Sequence, residues 1–172
     1  MSFSQFSFPA ITINNYLWDI MKQLDPTLTQ SKNYGNKIPF FPVSDTNTGT
    51  KSWENKPYII YDRMLKMTND TFYPIKNEHI LYAIKGKEEE IFEWSLAIQY
   101  ILDRMDDAAQ DINEWNRNRE NPSKVYFHNL KLYQVDFSRS RDFSNRPYYI
   151  TEFVVDTRYH FTDSIEEILS NL

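Results

Sequence analysis

Apolar and polar positions recur along this chain with two different periods, and the switches between them mark its elements. From Pro9 to Leu24, Ile13, Leu17, Ile20, Met21 and Leu24 fall at spacings of three and four, which predicts a helix with one apolar face. Pro9 suits a first helical turn, and Pro26 ends the run. Thr27 to Lys56 then loses periodicity. SKNYGNK and SDTNTGTKSWENK are rich in Asn, Thr, Ser and Lys, and one apolar run, IPFFPV, interrupts them. So long a loop in a compact domain is expected to be functional or ordered by a partner.

Pro57 opens a strand, PYIIYDRMLKM, and a second strand, His79 to Lys85, ends at Gly86. The two are expected to pair antiparallel across the turn region TNDTFYP. From Lys87 to Trp115 the period is helical again: Ile91, Trp94, Ile98, Ile101, Leu102, Met105, Ala108, Ala109, Ile112 and Trp115 form one stripe. Glu88, Glu89 and Glu90 stand in its first turn, where the helix dipole favours negative charge. Pro122 bars continuation.

The last third has a period of two. Val125 to Phe137 and Tyr148 to Phe161 read as long strands joined by the polar loop SRSRDFSNRP. In the later strand Tyr149, Thr151, Phe153, Val155, Thr157, Tyr159 and Phe161 share one face, with Glu152, Asp156, Arg158 and His160 on the other. In the earlier one Leu130 and Leu132 fall opposite to Phe127, Tyr133, Val135 and Phe137, which points to a bulge or to burial on both sides. A short helix, Asp163 to Leu169, closes the chain. The expectation is an α+β fold: a four-stranded, mainly antiparallel sheet with a long amphipathic helix on one face, plus N-terminal and short C-terminal helices. At 172 residues a single domain spanning 1–172 is expected, with 27–56 and 138–147 as extended loops.

Composition narrows the function classes. Aromatics make up 16% of the chain (12 Tyr, 12 Phe and 4 Trp), too much apolar surface for extended disorder. Only 3 glycines are present, none close enough to another for G-x-G-x-x-G or G-x-x-x-x-G-K-[ST], so those nucleotide cradles are excluded. The absence of cysteine removes disulfides, thiolate metal sites and Cys nucleophiles, and fits synthesis in a reducing cytoplasm. The N-terminus has no basic region before an apolar core, and no window is apolar enough to span a membrane.

Charge is segregated. The net charge is −5, yet residues 86–120 hold ten acids against four bases, −6, which leaves +1 for the rest. The strongest basic cluster is Arg139, Arg141 and Arg146, diluted by Asp142. Nucleic-acid binding needs a concentrated basic face for counterion release, so this distribution argues against it.

Catalytic and metal chemistry finds few footholds. The 3 histidines, His79, His128 and His160, stand alone in three strands, without H-E-x-x-H or any other ligand spacing. Among Asp103, Asp106, Asp107 and Asp111, spacings of three and four put several on one helix face in the manner of Mg²⁺-diphosphate sites, but the chain offers no second acidic helix, so a solvated face is the better reading. A metal-dependent nuclease would draw on Asp62, Lys66, Glu78 and Lys85, which show no specific pattern. No G-x-S-x-G elbow is present. The chain reads as non-enzymatic, with no cofactor and no metal site. Its tyrosines come with acids rather than bases, which favours core and subunit contacts over base stacking.

The segments KPYIIYDRM, FYPIKNEHILYAIKG, the acid-capped helix ending DRMDDAAQDIN, and YYITEFVVDTRYHF are similar to those of tail terminator (tail completion) proteins of contractile-tailed bacteriophages. The resemblance runs from about Pro57 to Phe161 in element order and residue character. It implies a virion protein, assembled in the host cytoplasm, that forms a hexameric ring on itself. The ring would cap the tail tube and sheath and join the tail to the neck, with double-stranded DNA passing through. A head-to-tail connector of the neck is the alternative within that class, and a small metal-dependent nuclease the alternative outside it. The expected subunit interface uses Phe40, Phe41 and Val43 as an anchor in the first arm. Arg139, Arg141 and Arg146 would meet Asp103, Asp106 and Asp107 of the next copy.

Overall fold

The computed structural model describes residues 9–30, 38–42, 57–62, 67–69, 75–103, 106–141 and 147–162. Helix α1 (Pro9–Leu24) and the single turn α2 (Thr27–Gln30) precede strands β1 (Phe40–Pro42), β2 (Tyr58–Asp62), β3 (Met67–Asn69) and β4 (Lys76–Gly86). Helices α3 (Glu88–Leu102) and α4 (Asp106–Arg117) follow, then strands β5 (Val125–Arg141) and β6 (Pro147–Phe161). The α+β class holds. Among the described residues the sheet has six strands rather than four, in the order β1-β2-β4-β6-β5, with β3 beside β4. It is mixed, because β1 runs parallel to β2 while the remaining pairs are antiparallel.

Three sequence expectations change. The helix expected over Lys87–Trp115 is two helices, broken after Leu102. Aspartates at 106 and 107 are poor interior formers but favourable in a first turn, so the acidic run starts a new helix. Ser138 to Arg141 is not a loop: these residues extend β5 and pair with Ile150, Tyr149, Tyr148 and Pro147. The first arm contains α2 and β1, where the amide of Ile59 donates to the carbonyl of Pro39 at 2.8 Å. The expected C-terminal helix Asp163–Leu169 lies outside the described residues.

The core forms between one face of the sheet and α1, α3 and α4. Alternation on β4 puts Ile80, Tyr82 and Ile84 inward, opposite Val155, Phe153 and Thr151 of β6. Tyr82 stacks on Phe153 with ring centroids 5.1 Å apart. Ile91, Trp94, Ile98 and Ile101 of α3, with Ala108 and Ile112 of α4, close over them, all buried. Each such side chain contributes about 1.5–3 kcal/mol by leaving water. Gly86 ends β4 where a Cβ would lie 3.1 Å from Pro57 Cα, so glycine permits the close approach of the β2 entry to the α3 entry.

The bulge expected in the earlier of the two long strands is present, and doubled. Register shifts fall between Phe127 and Asn129 and again between Leu132 and Gln134, making His128 and Tyr133 the extra residues. Phe127, Leu130 and Leu132 therefore all oppose core-facing positions of β6, and the register sets Val135 and Phe137 opposite Phe153 and Thr151. The apparent conflict of faces in the sequence is resolved by two insertions.

Candidate interaction surface

Helix α3 is apolar on two sides. Its inward side is the core stripe, and its outward side carries Phe92, Leu96 and Tyr100 at spacings of four, with 59%, 49% and 64% of their surfaces exposed. Glu89, Glu93 and Asp103 stand exposed around them, and α3 contains no Lys or Arg. Asp103 ends the helix, its amide bonded to the carbonyl of Gln99 at 2.6 Å. Sequence reasoning missed this second stripe. The signal was available as apolar residues at i, i+4 and i+8 off the core face.

The acidic residues continue beyond the helix end. Asp107 is exposed in the first turn of α4, and Asp106 stands beside it at the helix start. Arg139 and Arg141 lie two apart near the end of β5, paired with Tyr149 and Pro147. Tyr149 also pairs with Gly86, two residues before α3 begins. The arginine positions thus share the sheet row from which α3 departs, and the acids follow its other end, about 22 Å along a 15-residue helix. Acidic residues stand at both ends of α3, Glu89 and Glu90 in its first turn and Asp103 at its end. Arg146 and Val43 lie outside the described residues. Phe40 is buried against its own Tyr82, rings 6.4 Å apart and edge-on, and Phe41 is half-buried near Tyr58. The first anchor residue is therefore occupied within its own chain.

Helix α4 faces outward differently, with Asp107, Gln110, Glu114 and Arg117 exposed. Its inward polar residues serve the strand edge. The Asn113 side-chain amide donates to the carbonyl of Phe127 at 2.7 Å, and its oxygen accepts from the Phe127 amide at 2.8 Å. Strand β5 is the last in the sheet order, so Asn113 supplies the ladder partner that the edge lacks there. Asn116 binds the backbone of Ser123 in the same way, at 2.7 and 3.0 Å.

The histidines are not isolated. The bulge at His128 brings its Nε2 within 2.6 Å of His160 Nδ1, beside the ring of Tyr126, on the face of the sheet away from the helices. Burial and the Arg158 guanidinium lower the pKa of His128; burial and His128 lower that of His160. His79 pairs with Asp156 at 3.2 Å on the same face. Among the described residues no group of three or more His, Asp or Glu is placed to hold a metal ion.

Of the residues a nuclease would use, Lys66 lies outside the described residues, and Asp62 and Glu78 are separated. Glu78 is buried on the core face, where its carboxylate accepts from the Tyr159 hydroxyl at 3.2 Å. Asp62 is exposed and sits in register with Leu81, on the opposite face. The Tyr82 phenol is held well above its ordinary pKa, by burial first and then by Tyr61 and Glu78, so it stays protonated and donates to Asn14 at 2.8 Å. No helix among the described residues is long and apolar enough to cross a membrane. No protein-family model matches the chain, and no curated protein matches it.

Proposed function

We propose that this protein acts by binding alone, as a self-associating subunit of a closed ring. Within that class we assign it the role of tail terminator in a contractile-tailed virion. The observation that carries the reading is the outward apolar stripe of α3, Phe92, Leu96 and Tyr100, which stays exposed while the opposite side of the helix is buried. A subunit can bury such a stripe against a different surface of the next copy, which is a head-to-tail contact. Repeated contacts of that kind either close into a ring or grow without limit, and a protein that ends a tube must close. The overall negative charge fits a channel through which DNA slides rather than binds. The tail role itself rests on the resemblance in segment order.

Cryo-electron microscopy of virions carrying the protein tests this. A ring, expected to have six copies, should sit at the head-proximal end of the tail tube and sheath. A ring against the portal would move the protein to the connector class. Its absence from the particle, or its presence there as isolated copies, would overturn the reading.

A further inference from the structure

We propose that His128 and His160 form a two-histidine site for a divalent transition ion on the open face of the sheet. The inference goes beyond the proposed ring and does not depend on it.

The fold converges two coordinating nitrogens on one point. His160 stands opposite Tyr126 in the β5–β6 ladder, and His128 is the unpaired residue between the rungs Phe127–Tyr159 and Asn129–Arg158. A bulge re-aims the side chain it carries, and this one turns the His128 ring towards His160. Nε2 of His128 and Nδ1 of His160 lie 2.6 Å apart, with ring centroids at 4.8 Å. Two imidazoles bound to one ion at about 2.1 Å hold their nitrogens roughly 3 Å apart, so a small outward rotation of either ring admits the ion. Tyr126 packs against both rings, at 5.2 and 5.3 Å, and the strand ladder fixes both backbones. Little ordering is left for the ion to impose.

The protonation state suits a metal. Ligation needs neutral imidazole, and burial lowers both pKa values, with Arg158 adding to the shift of His128 and His128 to that of His160. As the ion enters, the ring that donates across the gap changes tautomer. His128 then carries its proton on Nδ1 and His160 on Nε2, and the site loses none. Exposed His128 and half-buried His160 leave the other coordination positions to water.

The surround selects the kind of ion. Asp156, an acid of the same face, is engaged by His79 at 3.2 Å, while Lys131 and Arg158 bring positive charge along the same strands. Hard cations such as Mg²⁺, which want oxygen ligands and negative charge, find neither. Imidazole suits Cu²⁺, Ni²⁺ and Zn²⁺, and Cu²⁺ heads that order.

The test is calorimetric titration of the full chain with Cu²⁺, Ni²⁺ and Mg²⁺ at neutral pH, beside His128→Gln, His160→Gln and His79→Gln. One Cu²⁺ per chain is expected, bound at least tenfold more tightly than Ni²⁺, with no binding of Mg²⁺. His128→Gln and His160→Gln should each weaken Cu²⁺ binding at least tenfold, and His79→Gln should leave it unchanged. The ion ties β5 to β6 only in the folded chain, so Ni²⁺ should raise the thermal midpoint of the parent and of His79→Gln, but not of the other two. Electron paramagnetic resonance of the Cu²⁺ form should show two imidazole nitrogens in the parent and fewer in each variant. Binding retained by both variants, a parent spectrum with fewer than two nitrogens, or no saturable binding would overturn the assignment. So would Cu²⁺-dependent dimerisation that either variant abolishes, since the ion would then join two chains. None of these results bears on the ring.

Discussion

Helices α3 and α4 are consecutive, pack on the same sheet and turn opposite kinds of surface to the outside. Inward they are alike, with Ile91, Trp94, Ile98 and Ile101 on one and Ala108, Ala109 and Ile112 on the other, all buried. Outward, α4 shows Asp107, Gln110, Glu114 and Arg117, while α3 shows Phe92, Leu96 and Tyr100. Water alone accounts for the outer face of α4. Each exposed Å² of apolar surface forgoes about 25 cal/mol, so the outer face of α3 leaves uncovered a surface that burial would stabilise. The difference teaches that two helices can bury equivalent inward faces in one core and still leave surfaces of opposite kind outside, one matched to water and one not.

The comparison can be broken first where the helices agree. Ile98→Ala in α3 and Ile112→Ala in α4 should each cost about 2–5 kcal/mol in urea denaturation, because both side chains are buried in one core. A loss at only one site would mean that the inward faces differ as well. The next largest effect belongs to α4 alone. Asn113→Ala strips both partners from the Phe127 backbone and should cost about 2–3 kcal/mol, since an unsatisfied buried polar group costs roughly 1–3 kcal/mol. An unchanged denaturation midpoint would show that water reaches this edge.

Outward substitutions should separate the helices most sharply, although their effect on stability is small. Leu96→Glu and Gln110→Glu should each leave monomer stability within about 0.5 kcal/mol. Only the first should reduce self-association. Equal behaviour of the two in sedimentation would erase the distinction drawn here.

The smallest expected effect concerns the far face of the sheet, as a control on both helices. The lowered pKa values of His128 and His160 mean that the folded state holds the neutral pair, so its contribution is present above the ordinary histidine pKa and lost as pH falls through the lowered values. Between about pH 7 and pH 5 the thermal midpoint should fall more in the parent chain than in His128→Gln/His160→Gln. Equal slopes would remove any role for the pair.

Legibility from the sequence followed the length of each periodic run. The alternation of Thr151, Phe153, Val155, Thr157 and Tyr159 and the stripe Ile91–Trp94–Ile98–Ile101 were readable, because many residues repeat one instruction. Strand β1 was not, since three residues carry no period and its parallel pairing to β2 is a long-range choice. The break after Leu102 was hidden because Met105 and Ala108 continue the helical spacing across it. Of the candidate interface, the arginine and aspartate positions were legible as charge, and Phe40 was not recognisable as a core residue. The histidine pair required knowing the strand register, including the extra residue that is His128 itself.

The two extra residues of β5 bear on how relatives of this chain could vary in length. Each is the unpaired residue of a bulge, so the residues on either side of it keep consecutive partners on β6. Deleting His128 alone, or Tyr133 alone, therefore closes that bulge into a regular ladder and leaves every other pairing in place. Inserting a residue elsewhere in the strand, with no bulge to absorb it, would instead move all later positions to the other face. Descendants should accordingly gain or lose these residues one at a time. An alignment across this strand should show single-residue gaps at these two positions, each independent of the other.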